Sequence, residues 1–147
     1  AHGNEPSHHI IHMYNYVNQP WKTQELIDRV LKEQYRNAPD GLSGNEDCGQ
    51  MSAWYILNAM GFYQVCPGKP VYSIGRPLFD KVTINLPEAK TFTIITKNNS
   101  KDNKYIESAM LNGQELNIPC LEHKDIAAGG TLEITLANQP TKWGVQQ

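Results

Sequence analysis

Three features that often announce a protein's class are missing from this chain. It has no excess of basic residues: 13 Lys and Arg stand against 15 Asp and Glu, for a net charge of −2. No basic patch points to nucleic acid, and no partner of that kind is expected. No apolar run approaches the twenty or so residues that a membrane span requires. Its three cysteines, Cys48, Cys66 and Cys120, are odd in number and lack metal-finger spacing. They therefore indicate no disulfide framework, and whether Cys66 pairs with Cys120 stays open. There is no internal repeat and no low-complexity tract. The start, Ala1-His2-Gly3-Asn4, shows neither an initiator methionine nor a signal peptide, so the chain is expected to begin in mid-protein.

What is present fits 147 residues of ordinary globular composition, enough for one domain or two small pieces. Residues 5–61 read as helical. Pro6 suits a first helical position, and Ile10, Ile11, Met13, Tyr14 and Val17 give an apolar face to about Asn18. Pro20 opens a second helix through Trp21, Leu26, Ile27, Val30, Leu31 and Tyr35. Met51, Ala53, Trp54, Tyr55, Ile56, Leu57, Ala59 and Met60 then make a third, with Gly61 as its stop. That third helix is apolar on nearly every face and is expected to be buried.

After Gly61 the pattern becomes one of strands. Val71–Ile74, Lys81–Leu86, Thr91–Thr96, Tyr105–Leu111 and Thr131–Leu136 are short and rich in Val, Ile, Thr and Tyr. Asn112-Gly113 between apolar runs is a hairpin turn signal. Asn98–Asn103 reads as a wide polar turn, and His123–Ala127 as one helical turn. Helices first and an antiparallel sheet after give an α+β class, divided at about residue 62.

The stretch Asp40–Tyr55, DGLSGNEDCGQMSAWY, carries the strongest chemical signal. Glycines, carboxylates and an amide precede the apolar helix. Asp47 is the expected N-cap and Gln50 its capping-box partner. A helix N-terminus favours an ionised carboxylate, which suits a base rather than a proton donor. A second candidate is Gly3-Asn4-Glu5-Pro6, where Asn4 and Glu5 offer the oxygen ligands calcium prefers, though without a calcium-loop consensus. His8 and His12 stand four apart at zinc-type spacing, but position 9 holds His9 instead of the zincin glutamate, so histidines bonded within helix packing or lining a sugar site are the expected reading. Cys48 at a helix start raises a cysteine hydrolase as rival, yet Asp47-Cys48-Gly49-Gln50 matches no papain-type signature.

GNEDCGQMSAWYILNAMGFYQVCPG, with GNEPSHHIIHMYNYVNQPWKTQ upstream and GRPLFDKVTINL and GGTLEITLANQPTKWG downstream, resembles the C-terminal part of glycoside hydrolase family 92. These are calcium-dependent, inverting, exo-acting α-mannosidases. The resemblance implies that residues 1–62 are the last helices of an (α/α)₆ barrel and that 63–147 form a small antiparallel β-sheet or sandwich segment. It implies Asp47 as the general base, Glu5 and Asn4 as metal ligands, and Glu5, Asn45 and His8 as substrate contacts, with Ca²⁺ as cofactor. Asn45 stands where other members carry a second aspartate; its amide can orient water but cannot share the base's role. The general acid is a glutamate upstream of this region, so the chain alone is expected to be inactive. The implied substrate is an α-1,2-linked, mannose-terminated glycan, as in N-glycan degradation. The implied partner is the rest of the same polypeptide, and the implied location periplasmic or secreted. The alternative from another class is a non-catalytic carbohydrate-binding or interaction module.

Overall fold

The structure, a computed structural model, describes residues 2–146. The expected first helix is instead two 3₁₀ helices, Glu5–Ser7 and Ile10–Val17, closed by Asn18 in the left-handed region. Two α-helices follow. α1 spans Pro20–Glu33, with Pro20 at its first turn, and α2 spans Gln50–Met60, ended by Gly61 at φ 109°. α2 is less buried than its composition suggests. Met51, Trp54, Asn58 and Ala59 face inward, whereas Ile56 is 56 % exposed.

The strands are β1 Phe62–Tyr63, β2 Val71–Ile74, β3 Lys81–Asn85, β4 Thr91–Lys97, β5 Tyr105–Leu111, β6 Gln114–Glu115, β7 Cys120–Glu122 and β8 Gly130–Ala137. A short helix α3, His123–Ala128, precedes β8. Among the described residues they form a three-stranded sheet ordered β1-β2-β7 and a five-stranded one ordered β3-β4-β8-β5-β6. The architecture is α+β. The larger sheet is mixed, where the sequence pattern led to an expectation of an antiparallel one. β8 inserts between β4 and β5 and runs parallel to β4, Phe92 opposite Gly130 through Lys97 opposite Thr135. Asn98–Asn103 is therefore not a hairpin turn, because β4 and β5 are separated by β8. Asn112-Gly113 is one: φ values of 51° and 79° in a two-residue loop join Leu111 to Gln114, as a type I′ turn requires.

Alternation along β4, β5 and β8 sends Phe92, Ile94, Ile106, Leu132, Ile134 and Leu136 into a dry core, none more than 1 % exposed. A smaller cluster of Ile27, Val30, Leu31 and Trp54 joins α1 to α2. Between the clusters the contacts turn polar. Gln24 Oε1 accepts from the Ile106 amide at 2.9 Å, in the stretch where β5 carries a register irregularity against β8. Asn15 Nδ2 donates to Ser73 Oγ and to the Ile74 carbonyl. Arg76 lies buried with Nε 3.5 Å from Asp28 Oδ1, and Asp28 also holds Lys32 at 2.7 Å.

Candidate active site

The loop entering α2 is built differently from the expected capping box. Asp47 and Cys48 both adopt left-handed backbone, at φ 49° and 58°, and Gly49 continues at 91°. The position before α2 is Gly49, without a side-chain cap. Glu46 performs the capping. Its Oε1 accepts from the Ser52 amide at 3.0 Å, its Oε2 from the Ser52 hydroxyl at 2.7 Å, and its carbonyl from the Met51 amide at 3.2 Å. Gln50 does not reach back either; its Nε2 donates to His8 Nδ1 and to the Tyr63 hydroxyl, each at 3.1 Å. Two consecutive non-glycine residues at positive φ cost free energy that neighbouring contacts must offset, and such strain gathers at working sites.

Freed from the cap, the carboxyl of Asp47 is exposed and interacts with that of Glu5. Two carboxyls in contact share one proton. The hydrogen bond with Glu5 raises the pKa of Asp47 above the ordinary 3.8, helped by partial desolvation and by repulsion from Glu5. Glu5 moves below its ordinary value through the same bond. The sequence expectation had the opposite sign for Asp47, because it rested on a helix terminus that Glu46 occupies. Glu5 Oε1 is shut off from water and meets no hydrogen-bond partner.

Asn45 lies exposed in the same loop, and Asn4 is exposed beside Glu5. His8 is buried. It is 2 % exposed, with one ring nitrogen on Gln50 and the other on Met51 Sδ. His2 stacks over it with ring centroids 4.8 Å apart, lies 4.1 Å from the Trp54 ring, and meets the Tyr35 hydroxyl at 2.7 Å. Burial, then the neighbouring His8, lower the His2 pKa to about 4. His12 is fully buried: its Nε2 donates to Asn58 Oδ1 at 3.0 Å and its Nδ1 faces Ser73 Oγ. Asn58 in turn donates to the Trp54 carbonyl. The pair at zinc-type spacing is thus a packing pair.

A cleft of about 690 Å³ runs beside the amino-terminal segment, lined by His2, Gly3, Asn4, Ser7 and Ser43 on one side and by Leu26, Arg29 and Glu33 of α1 on another. A smaller one of about 420 Å³ lies between Tyr35–Leu42 and α2. Neither is lined by Asp47, which is exposed, or by Glu5, which is half-buried.

The family model described as the glycosyl hydrolase family 92 catalytic domain matches residues 1–138. The chain belongs to glycosyl hydrolase family 92. It is 39 % identical to a family 92 α-mannosidase from Bacteroides thetaiotaomicron solved with mannoimidazole, with a TM-score of 0.94. It is 47 % identical to a family 92 inverting mannosidase from the same organism, with a TM-score of 0.93. These alignments cover 99 % of this chain but 19 % and 20 % of those. An uncharacterized secreted glycosidase from Arthroderma benhamiae is 34 % identical over 99 % of this chain and 19 % of its own length. The chain therefore spans about a fifth of the family 92 proteins it matches.

Calcium, implied by the family resemblance, suits the donors found here. Asn4 and Glu5 offer side-chain oxygen, and Glu5 Oε1 is a buried oxygen with no hydrogen-bond partner. Among the described residues no three of the His, Cys, Asp and Glu type converge, so these donors make up part of a shell that needs six to eight oxygens. Sequence reasoning missed Glu46, His2 and Tyr63, and gave Gln50 a capping role in place of its bonds to His8 and Tyr63. Only Glu46 had a local signal, since its carboxylate lies six residues before Ser52 in the loop that feeds α2.

Proposed function

We propose that this chain is the C-terminal part of an inverting exo-α-mannosidase that removes terminal, α-1,2-linked mannose from glycans outside the cytoplasm, in the periplasm or after secretion. In this reading residues 1–62 are the closing helices of an (α/α)₆ barrel, and 63–147 are the β-rich portion that follows. Exposed Ile10, Met13, Tyr16, Val17 and Ile56 supply apolar surface for other barrel helices to cover.

The observation that carries the mechanism is the Glu5–Asp47 carboxyl contact on a strained, exposed loop. In an inverting glycosidase the acid and the base stand roughly 6.5–9.5 Å apart, leaving room for water. Two carboxyls hydrogen-bonded to each other are too close for that division, so Glu5 is not the acid that partners Asp47. The acid is a glutamate elsewhere in the polypeptide. Asp47, once its shared proton has left, takes a proton from the water that attacks the anomeric carbon. Asn45 orients that water through its amide. Asn4 and Glu5 would hold calcium, which would supply a Lewis acid for hydroxyls of the bound mannose. His8 stiffens the wall behind the sugar through His2 and Gln50.

The test is turnover of an aryl α-mannoside, with the anomeric form of the released mannose followed by proton NMR. The full-length polypeptide should release β-mannose, Asp47→Asn should abolish release, and this chain alone should show none. Turnover by this chain alone, lost in Asp47→Asn, would refute the remote acid. Mannose binding that survives both Asp47→Ala and a chelator would instead favour the non-catalytic carbohydrate-binding module.

A further inference from the structure

Glu5 and Asp47 are far apart in sequence. On one side of them His8 bonds to Gln50 and Met51 of α2, and on the other side backbone meets backbone. A Cβ on Gly44 would lie 2.1 Å from the Gly3 carbonyl oxygen and 2.9 Å from its carbon. A Cβ on Gly3 would lie 2.4 Å from the Ser43 carbonyl oxygen. Neither glycine sits in the left-handed region, so neither is required for its conformational freedom. Gly49, in the same loop, is the converse: its φ is 91° and nothing lies within 4 Å of its missing Cβ. At Gly3 and Gly44 the constraint is space alone, and the obstructing atoms are main chain that cannot rotate aside.

We propose that Gly3 and Gly44 are positioning residues, an interlock that sets the Asn4-Glu5 segment in register with Asp47; this rests on the reading of Asp47 and Glu5 as the reactive site. Gly3 is two residues before Glu5, and Gly44 three before Asp47, so little chain is left to absorb a displacement. Restoring an ordinary 3.4 Å contact to a Cβ at Gly44 moves the two backbones apart by about 1.3 Å, the difference between 3.4 and 2.1 Å. A shift of that size opens the carboxyl contact. Misplacement of about 1 Å costs on the order of 100-fold in rate where groups must be aligned.

The test uses Gly3→Ala, Gly44→Ala and, as a purely structural control at the far end of α2, Gly61→Ala, each in the full-length polypeptide. Crystal structures of the variants read the Glu5–Asp47 separation directly. The expected result is that the contact opens in Gly3→Ala and Gly44→Ala and persists in Gly61→Ala. Should Gly44→Ala fail to fold, Gly3→Ala decides alone, since Gly3 lies in a turn outside any helix or strand. Persistence of the contact in either folded variant would overturn the interlock. On the aryl mannoside, kcat should fall about 100-fold in both variants. In a Glu5→Gln background the further fall from Gly44→Ala should be smaller, because Gly44 acts through Glu5. Full additivity of the two changes would also overturn the proposal. An inactive parent protein would sink the mannosidase reading instead, and the structures would still decide the interlock.

Discussion

The two halves of the molecule are held by different physics. Under the five-stranded sheet the buried residues include Phe92, Ile94, Ile106, Leu132, Ile134 and Leu136, whose side chains pack without hydrogen bonds. Behind the Asp47 loop the buried residues include His8, His12, Asn15, Asn58 and Ser73. Hydrophobic burial is non-directional and tolerates volume-conserving exchange. A buried hydrogen bond tolerates little, because an orphaned donor or acceptor costs its full desolvation. The chain Asn15 to Ser73, His12 to Asn58, and Asn58 to the Trp54 carbonyl fixes β2, the second 3₁₀ helix and α2 relative to one another. Area holds the sheet side together, while bonds of fixed direction aim the helical side.

That contrast breaks first at the chemistry. Asp47→Asn should lower kcat on the aryl α-mannoside in the full-length polypeptide by about 10²–10⁴-fold, the usual contribution of a general base. Its thermal midpoint should stay within a degree or two of the parent, at roughly the scale of a neutral surface change. A large drop in that midpoint would mean the loop is structural after all. Next comes Ile134→Ala in the sheet core, which should cost about 2–5 kcal/mol in urea unfolding without altering kcat in the folded protein. Loss of activity in step with that cost would erase the distinction between the halves.

His12 gives an effect of similar but smaller size, and it depends on pH. Burial lowers its pKa to about 4 from 6.5, against the favourable bond to Asn58, and His9 adds repulsion. The Tyr63 ring stacks on it at 5.3 Å. A depressed histidine pKa means the fold prefers the neutral ring. The stabilisation is complete above pH 6.5 and is lost as pH falls toward about 4. About 3 kcal/mol should disappear over that window. Chemical denaturation at pH 7, 5.5 and 4.5 measures it, and His12→Gln should flatten the profile. The smallest effect belongs to Gly49→Ala, about 1–2 kcal/mol for an L-residue forced to positive φ, with Gly49→Asn milder. Equal costs for alanine and asparagine would show that conformation is not what glycine provides there.

Legibility divided along the same line. Val71–Ile74 and Tyr105–Leu111 emerge from residue pattern with the bounds the structure shows, and Asn112-Gly113 names its own turn. These depend on side-chain alternation and local φ, which neighbours in sequence determine. The insertion of β8 between β4 and β5 depends on pairing between strands distant in sequence, which no local pattern records. The aspartate of the loop could be found, but its role as helix cap could not be separated from that of Glu46 one residue earlier. The difference was decided by Asp47 and Cys48 turning left-handed, at φ values aspartate tolerates and cysteine rarely adopts. The contact with Glu5 was invisible for the same reason: it passes through a backbone crossing at Gly3 and Gly44.

Because Glu46 secures the start of α2, its neighbour owes nothing to the architecture. The Asp47→Asn protein should therefore remain an intact receptor that has lost only its hydrolytic step. Soaked with an uncleaved oligosaccharide, it would act as a trap in which both sugars flanking the scissile bond become visible.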